Sequence, residues 1–348
     1  MEGTMKAWYY ESADNAVIKE LPIPKISAGE VLVKIKAVGI CHTDINVLSG
    51  VNIVPVPFPF IGGHEWSGEV VETGKDVVTV KPGDRVVGEC NSGCGSCLIC
   101  QEGHEDYCMV APVQRGINTN GSFCEYYRII PRLLHKIPDS MDYIAASLIE
   151  PFTVGYNGIV SNGGCDGGDL VVVLGGGGIG LSAVIAAKSM GAKVVLANRG
   201  AYRREFGLKY GADIAVDPSK EDLAKIVKGL TGGFGADFVV EATGNVHSMK
   251  QSFDIVRNNG RISFLGGNPD EEIPFAPGKI MMLGVRAQGL LGSPGIWDRA
   301  IKLIEQNKID LRPLSTYQFP LTEAAEAFEL LKYNPKGLDF VKVTLVTS

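Results

Sequence analysis

Near its middle, the chain changes from mixed apolar patterning to short, continuous apolar runs separated by helical segments. The first run, Leu170–Leu174 (LVVVL), is too short for a helix and is bounded by glycines. A fully buried parallel strand has this pattern. The runs KVVLA, ADIAVD, ADFVVEATG, GRISFLGG and GVRAQG follow it. We therefore predict six parallel strands with crossover helices, a doubly wound α/β sheet.

The first 150 residues differ from this later region, since their apolar stretches are broken by glycine and proline. EVLVKIKAVGI, at 30–40, predicts a strand with at least one buried face. Three prolines between residues 51 and 60 exclude a regular helix there. Two later segments, GGHEWSGEVVETG and PGDRVVGEC, have the same short apolar stretches broken by glycine or proline. This region is expected to form a compact, barrel-like β domain.

The end of the chain returns to helices, IWDRAIKLIEQN and TEAAEAFELLK, before a last strand, FVKVTLV. These cannot simply extend the parallel sheet, so we assign them to the β-rich domain. A chain of 348 residues exceeds one ordinary core. We expect one domain from 1–152 and 292–348, with a cysteine lobe at 90–110, and an α/β domain at 153–291.

Composition narrows the class of protein. The chain is 45% hydrophobic and 21% charged, as globular proteins are, and its net charge is −6. That charge argues against nucleic acid or an anionic membrane as a partner. No apolar run reaches the roughly 18 residues that span a bilayer, and the N-terminus lacks a signal pattern. We expect a cytoplasmic protein whose eight cysteines are metal ligands or free thiols.

A glycine turn follows the first buried strand. Gly175, Gly177 and Gly180 have G-x-G-x-x-G spacing and precede a helical segment. In this context the glycines permit a tight turn, close approach of a pyrophosphate, and close packing of helix on strand. The motif predicts dinucleotide binding at the helix N-terminus. The alternative is a turn that only packs the helix on the strand.

Four cysteines lie close together with C-x2-C-x2-C-x7-C spacing: Cys94, Cys97, Cys100 and Cys108. Four thiolates suit a tetrahedral structural zinc, with no position left open for chemistry. An iron–sulfur cluster is the main rival, but its bacterial signature requires a fourth cysteine after three residues. Position 104 is histidine and position 105 is glutamate. Unmetallated thiols are the third possibility.

A second metal group is less obvious, because Cys41, His64 and Glu150 lie far apart in sequence. They could be unrelated core and surface residues. The adjacent dinucleotide domain favours a catalytic zinc, which uses three protein ligands and leaves one position for water or substrate. Such a metal polarises a carbonyl or lowers the pKa of a bound alcohol.

Six segments, in order, carry a family resemblance: GICHTD (39–44), GGHEWSG (62–68), the cysteine lobe, IEPFTVG (149–155), GGGGIG (175–180) and EATG (241–244). Over essentially its whole length the chain resembles the zinc-dependent medium-chain alcohol dehydrogenases, in their sorbitol-dehydrogenase-like branch. The resemblance implies a GroES-like β-rich catalytic domain and a Rossmann domain. It also implies two zinc ions per chain, one catalytic and one structural, and a dimer or tetramer formed through residues 285–291.

The resemblance also assigns residues at the catalytic site. It implies that Cys41 and His64 are zinc ligands, and that Glu65 and Glu150 are the carboxylates beside the metal, without deciding which binds it directly. Thr43 would take the substrate proton. The remaining implied roles are Asp44 bracing the histidine ligand, Asn46 replacing a proton-passing histidine, and Trp66 packing in the core.

The cofactor choice depends on the end of the second strand. An acidic residue there would bind the ribose 2′-hydroxyl, but this chain has Asn198, followed by Arg199, Arg203 and Arg204. Arginine can bind a 2′-phosphate, so NADP is expected to be preferred, with NAD possible. The arginines could instead be solvated, with Asn198 still binding NAD. The full set of expected cofactor contacts is His42, Gly175, Gly177, Gly178, Ile179, Gly180, Asn198, Arg199, Arg203, Thr243, Leu265 and Gly266.

The expected substrate is a secondary alcohol: a polyol, sugar alcohol or cyclitol. Cys90 stands where the family carries a bulky aromatic, and a glutamate-type zinc site suits a polar substrate. A simple alcohol or aldehyde dehydrogenase is one alternative. A zinc-free reductase of the same fold and a zinc-ribbon binding protein are others, which the zinc residues and the acidic charge oppose.

Overall fold

The computed structural model describes residues 2–52, 55–267 and 272–347. The chain divides into two compact units, the first formed by Met1–Glu150 and Trp297–Ser348 and the second by Pro151–Ile296. Within the described residues, no helix combines the length and apolar character needed to cross a bilayer.

Strands and helices have the following bounds. The strands are β1 Thr4–Ser12, β2 Asn15–Pro22, β3 Val31–Ile40, β4 Phe60–Ile61, β5 Glu65–Thr73, β6 Arg85–Gly88, β7 Asn91–Ser92, β8 Val113–Gln114, β9 Tyr126–Ile129, β10 Leu134–Lys136, β11 Leu170–Leu174, β12 Lys193–Ala197, β13 Ile214–Val216, β14 Ala236–Glu241, β15 Val256–Phe264, β16 Arg286–Gly289, β17 Ser315–Pro320 and β18 Lys342–Val346. The helices are α1 His42–Leu48, α2 Leu98–Gln101, α3 Tyr143–Ser147, α4 Ile149–Val160, α5 Gly178–Ser189, α6 Ala201–Lys209, α7 Leu223–Leu230, α8 Val246–Ile255, α9 Gly278–Leu283, α10 Trp297–Gln306 and α11 Ala324–Tyr333.

The first unit is built on a mostly antiparallel sheet of order β10-β6-β5-β3-β18-β17, with β9 also paired to β3. A smaller sheet has the order β2-β1-β4. The central strand β3 is buried along most of its length, as its apolar sequence predicts. The β-rich character of this unit is therefore confirmed. The sequence did not predict β17, because STYQFP is short, polar and ends in proline.

Strand register in the first unit places two distant segments side by side. β3 and β5 are antiparallel, with Gly39 opposite Glu65. The end of β3 therefore lies next to the start of β5. A side chain at Gly39 would displace the buried Glu65 carboxylate, because a Cβ there would lie 2.3 Å from Glu65 Oε2. This register brings Cys41 and His64 to one edge of the sheet.

The second unit contains the predicted six-stranded parallel sheet, in the order β13-β12-β11-β14-β15-β16. All five residues of β11 are buried, which explains their uninterrupted apolar sequence. The strand order reverses at β11, between β12 and β14. Ligands of doubly wound sheets bind beyond the carboxyl ends of the strands at such a point.

An ionic cluster around His135 joins three parts of the first unit. Its Nε2 lies 2.9 Å from Glu89 Oε1, and its Nδ1 lies 2.8 Å from Asp298 Oδ1. The imidazole stacks on Trp297 with ring centroids 5.3 Å apart. Burial disfavours the imidazolium, but hydrogen bonds with both carboxylates outweigh burial, so the pKa of His135 is raised.

His135→Gln should therefore destabilise the first unit, and more at about pH 6 than at about pH 9. A group with a raised folded-state pKa contributes stability that is complete below its unfolded-state pKa and is lost as pH rises through the folded-state value. We expect a loss of about 2 kcal/mol at the lower pH, mainly from the Glu89 hydrogen bond. Urea unfolding at both pH values measures it. The exposed His247→Gln is the control, and an equal loss at both pH values would contradict a charged His135.

Candidate functional site

A cysteine, a histidine and a carboxylate come together at the sheet edge of the first unit. One ligand atom from each of Cys41, His64 and Glu65 lies within 4.8 Å of the others. Cys41 follows β3 directly and caps α1, while His64 immediately precedes β5. His64 and Glu65 are buried and Cys41 is partly buried. This donor set is typical of a catalytic zinc centre.

Asp44 fixes the orientation of the cysteine and the histidine. Its Oδ2 accepts a hydrogen bond from the Cys41 backbone N–H at 2.7 Å. Its Oδ1 lies 3.3 Å from His64 Nδ1, and the carboxylate is fully buried. With Nδ1 directed at Asp44, Nε2 is the imidazole nitrogen left for a metal. Carboxylate–histidine pairs of this kind orient metal ligands and set their tautomer.

Glu65 forms a buried ion pair that was not predicted from the sequence. Lys342 Nζ lies 2.6 Å from Glu65 Oε1 and donates to the backbone oxygen of Ile40 at 3.0 Å. Lys342 begins β18, which pairs with the end of β3. The one available signal was a lysine inside the apolar strand FVKVTLV. The ammonium group balances a carboxylate that would be costly to bury alone.

Glu150 is a second buried carboxylate near this group, at the start of α4. It is not part of the set of ligand atoms within 4.8 Å. Burial raises its pKa to about 7; the charges of His64 and Lys342 lower it, whereas that of Glu65 raises it. These mutual effects place Glu150 in the same electrostatic environment as the Cys41, His64 and Glu65 group.

Other residues expected near this site have mixed surroundings. Thr43 is partly buried and His42 exposed, both in the first turn of α1. Cys90 is partly buried, and burial, followed by the Glu150 charge, raises the pKa of its thiol. Trp66 is buried and packs edge-on against Tyr127, with ring centroids 5.6 Å apart, which supports core packing as its role.

The four cysteines of the lobe form a closed second group. Cys94, Cys97, Cys100 and Cys108 place their Sγ atoms within 4.8 Å of one another. Individual S–S distances are 3.4, 3.9 and 4.0 Å. Four ligands at about 2.3 Å from a tetrahedral zinc are separated by about 3.8 Å. The group therefore fits a structural zinc.

Backbone and side-chain contacts support the lobe from outside. The N–H of Cys97 donates to Cys94 Sγ at 3.3 Å, as backbone donors commonly do to thiolates. Hydrogen bonds from Ser96, and then from Cys97, lower the pKa of Cys94 to about 6. Arg132 Nη1 contacts both carboxylate oxygens of Glu105, at 2.9 and 2.8 Å. Glu105 in turn accepts from the Gly93 N–H at 3.0 Å, which ties the lobe together.

In the second unit, the glycine turn has the geometry expected for a phosphate-binding loop. Gly175 has a φ of +102°, which favours glycine. A Cβ on Gly180 would lie 1.8 Å from the oxygen of Gly175, so only glycine permits this packing. A Cβ on Gly177 would meet nothing within 4 Å, so its surroundings are open. Gly178 and Ile179 then begin α5, whose free N–H groups face this turn.

Three further loops follow the carboxyl ends of neighbouring strands. After β14, the buried Glu241 carboxylate accepts from the N–H groups of Thr243 and Gly244, at 3.0 and 3.1 Å. After β15 come Leu265 and Gly266; a Cβ on Gly266 would lie 2.4 Å from the nitrogen of Gly244. After β12, Asn198 Oδ1 accepts from the Gly176 N–H at 3.0 Å. The predicted cofactor residues of this unit therefore share one edge of the sheet.

The arginines after β12 differ in their surroundings. Arg199 is exposed. Arg203 is partly buried beside the glycine turn, since a Cβ added to Gly176 would lie 3.1 Å from the Arg203 Cβ. Arg204 instead donates to the backbone oxygens of Asn198 and Arg199. The sequence alone could not separate these roles, because all three arginines lie close to the strand end.

Two family models match the chain: the alcohol dehydrogenase GroES-like domain over residues 27–139 and the zinc-binding dehydrogenase over residues 178–306. An L-threonine 3-dehydrogenase from Bacillus licheniformis is 35% identical, over 99% of this chain and 100% of that protein. A sorbitol dehydrogenase from Halalkalibacterium halodurans is 33% identical, over 90% and 92%.

A solved structure from Sinorhizobium meliloti 1021 is also similar. It is described as a zinc-binding dehydrogenase and is bound to NADP. It superposes with a TM-score of 0.92 at 32% identity, covering 99% of each chain.

Proposed function

The chain belongs to the zinc-dependent medium-chain alcohol dehydrogenases, and from this premise we propose that it oxidises a polar secondary alcohol with NADP as preferred acceptor. The observation that carries the proposal is the convergence of Cys41, His64 and Glu65 within 4.8 Å in the first unit. The second unit offers the dinucleotide-binding turn of an oxidoreductase. The substrate carbon would lose a hydride to the nicotinamide and its hydroxyl a proton, giving a ketone.

Metal binding is assigned to the first unit. Cys41, His64 Nε2 and a carboxylate would hold zinc, which supplies a Lewis acid that lowers the pKa of the alcohol. We propose Glu65 and Glu150 as the carboxylates of this site. Lys342 offsets the charge of Glu65, and Asp44 holds His64 in its binding orientation.

Proton removal is assigned to Thr43 in the first turn of α1, whose hydroxyl would accept the substrate proton while passing its own proton on. Asn46 is exposed on the same helix and cannot titrate, so it passes no proton to solvent. The proton would therefore leave by a shorter path or through Glu150 and water.

NADP preference is supported by three features of the turn after β12. Asn198 replaces the carboxylate that would repel a 2′-phosphate, Arg199 is exposed, and Arg203 lies beside the glycine turn. Arginine offers paired donors that match phosphate geometry. The similar structure bound to NADP supports the same choice.

A polyol, sugar alcohol or cyclitol is the proposed substrate class, because Cys90 leaves more room than an aromatic side chain would. The similarity to a sorbitol dehydrogenase supports it. A second candidate is L-threonine, also a secondary alcohol, since the relative from Bacillus licheniformis has that activity in its name.

A substrate panel tests these proposals. Polyols, cyclitols, L-threonine and primary alkanols are each offered with NADP and with NAD, and absorbance of the reduced nicotinamide is followed. We expect kcat/KM to be about tenfold to a few hundred-fold higher with NADP, from one or two charge-assisted hydrogen bonds. Preference for NAD would reject the cofactor assignment. Faster turnover of primary alkanols than of any polyol or L-threonine would reject the substrate class.

We propose that the protein forms a homo-oligomer through the outer edge of the second unit's sheet. β16 is the last strand of that sheet, and Met281 and Met282 on the preceding helix α9 are 76% and 75% exposed. An exposed strand edge beside apolar side chains favours pairing with a second copy. Light scattering should find a dimer or tetramer, and Met281→Lys with Met282→Lys should weaken it. A monomeric wild-type protein would overturn this proposal.

We further propose a cytoplasmic location. The cysteines are all unbridged, and thiolate ligands persist in a reducing compartment. Recovery of the protein in a secreted fraction would contradict this.

A further inference from the structure

The turn after β12 has an unusual set of backbone partners. The oxygens of Asn198 and Arg199 both accept from Arg204 Nη1, at 2.8 and 2.5 Å. The oxygen of Gly200 accepts from the side chain of Asn198 at 3.0 Å. Three successive carbonyl groups are thus held by side chains, and the backbone of this turn has little freedom.

Arg204 is itself anchored by a carboxylate that directly follows the next strand. Its Nη1 lies 3.3 Å from Asp217 Oδ2, and the two side chains are only 20% and 6% exposed. Asp217 follows β13, and its Oδ1 accepts from both the N–H and the hydroxyl of Ser219, at 3.1 and 2.6 Å. Hydrogen bonds from Ser219, and then the Arg204 charge, lower the pKa of Asp217, so it is ionised at neutral pH.

These contacts give Arg204 a different role from that of Arg199. Its guanidinium is engaged with two carbonyl oxygens and a carboxylate inside the unit. The exposed Arg199, by contrast, extends from the turn that Arg204 holds. Asn198 also contacts the glycine turn, through Gly176. Any shift of this turn would therefore move the groups assigned to the 2′-phosphate.

We propose that Arg204, anchored by Asp217, is a positioning residue that sets the turn 198–200 in the geometry that binds the 2′-phosphate of NADP. The inference rests on the proposed NADP preference and adds to it a residue that acts without contacting the phosphate. Arg204 acts through the backbone of the turn and does not touch the phosphate. A rigid side chain is required for this, since the planar guanidinium holds Nη1 at one place between the two carbonyl oxygens and Asp217, whereas a lysine ammonium moves on a flexible stem.

Two variants separate positioning from simple charge. Arg204→Lys keeps the positive charge but loses the rigid guanidinium whose Nη1 contacts both carbonyl oxygens and Asp217. Asp217→Asn removes a negative charge near the turn, so charge alone would strengthen phosphate binding. Positioning predicts the opposite sign, because the anchor of Arg204 is weakened. Lys209→Gln, which removes an exposed charge from the same helix, is the matched control.

The measurement is calorimetric binding of adenosine 2′,5′-bisphosphate and of adenosine 5′-monophosphate to the zinc-loaded protein. KM for NADP and NAD is determined in parallel. We expect both variants to weaken bisphosphate binding about tenfold, with less than about threefold change for the monophosphate. Unchanged bisphosphate binding, stronger binding in Asp217→Asn, or equal weakening of both ligands would overturn the proposal. Thermal unfolding confirms that each variant is folded.

Arg199→Ala distinguishes this failure from failure of the NADP assignment. If wild-type protein favours the bisphosphate and Arg199→Ala loses that preference, the NADP assignment holds. The Arg204 inference then fails alone if Arg204→Lys and Asp217→Asn behave like Lys209→Gln. If wild-type protein shows no preference for the bisphosphate, both fail together.

Discussion

His64→Ala should abolish alcohol oxidation and remove one of two zinc ions while leaving the other bound. The imidazole is buried between Asp44 and the Cys41 thiol, and its loss leaves that metal group with too few protein ligands. Losing Lewis-acid assistance should lower kcat/KM by about a thousandfold or more. Steady-state kinetics and elemental analysis of the same preparation measure both effects.

Asp44→Asn should have a smaller effect than His64→Ala, because it keeps the metal ligands and weakens only the contact between residue 44 and His64 Nδ1. Outer partners of metal-bound histidines are worth about 10- to 100-fold in affinity or activity. The exposed His247→Ala is the control and should keep full activity and both metal ions. A His64→Ala protein that oxidised the best alcohol of the panel at the wild-type rate would exclude this group as the catalytic centre.

Among the variants proposed for this protein, Cys100→Ser should cause the largest loss in the free energy of unfolding. Cys100 is buried, and its Sγ lies 3.4 Å from that of Cys97. Structural zinc contributes folding free energy directly, so its loss should cost about 3–5 kcal/mol, or roughly 10 °C in Tm. The Arg132–Glu105 pair remains and limits the loss. Thermal unfolding combined with zinc content per chain checks this expectation.

The matched control for the lobe is Cys165→Ser, which changes a partly buried thiol in the second unit. It should keep both metal ions and nearly the wild-type Tm. If Cys100→Ser kept two zinc ions per chain and the same Tm, the lobe would not be a structural metal site.

The parallel sheet could be predicted from sequence because its central strands, such as β11 and β12, are short, apolar and buried. The glycine turn after β11 was also visible, since its spacing is local. Strand β17 was not visible, because its short polar sequence lacks an apolar period and its parallel pairing with β18 is long-range. Local patterns identify elements, whereas strand order in a β-rich domain depends on contacts between distant segments.

The ligand types of the metal groups could also be predicted, but their geometry could not. The register of β3 against β5 determines that Glu65 lies beside Cys41, and sequence spacing contains no such information. Lys342 comes from the end of the chain and meets Glu65 only because β18 pairs with β3. Likewise, the sequence alone does not distinguish the roles of the three arginines that follow β12. Only the folded structure shows that Arg204 turns toward the backbone of the turn and Asp217.

The zinc dependence of NADP reduction tests the proposed catalytic centre most directly. Metal is removed from the purified protein in steps by a chelator, and at each step zinc content and oxidation of the best alcohol of the panel are measured. We predict that the rate falls in proportion to loss of zinc from the Cys41, His64 and Glu65 group and returns when zinc is restored. An undiminished rate in protein that has lost this zinc would contradict the assignment of a zinc-dependent alcohol dehydrogenase mechanism to this chain.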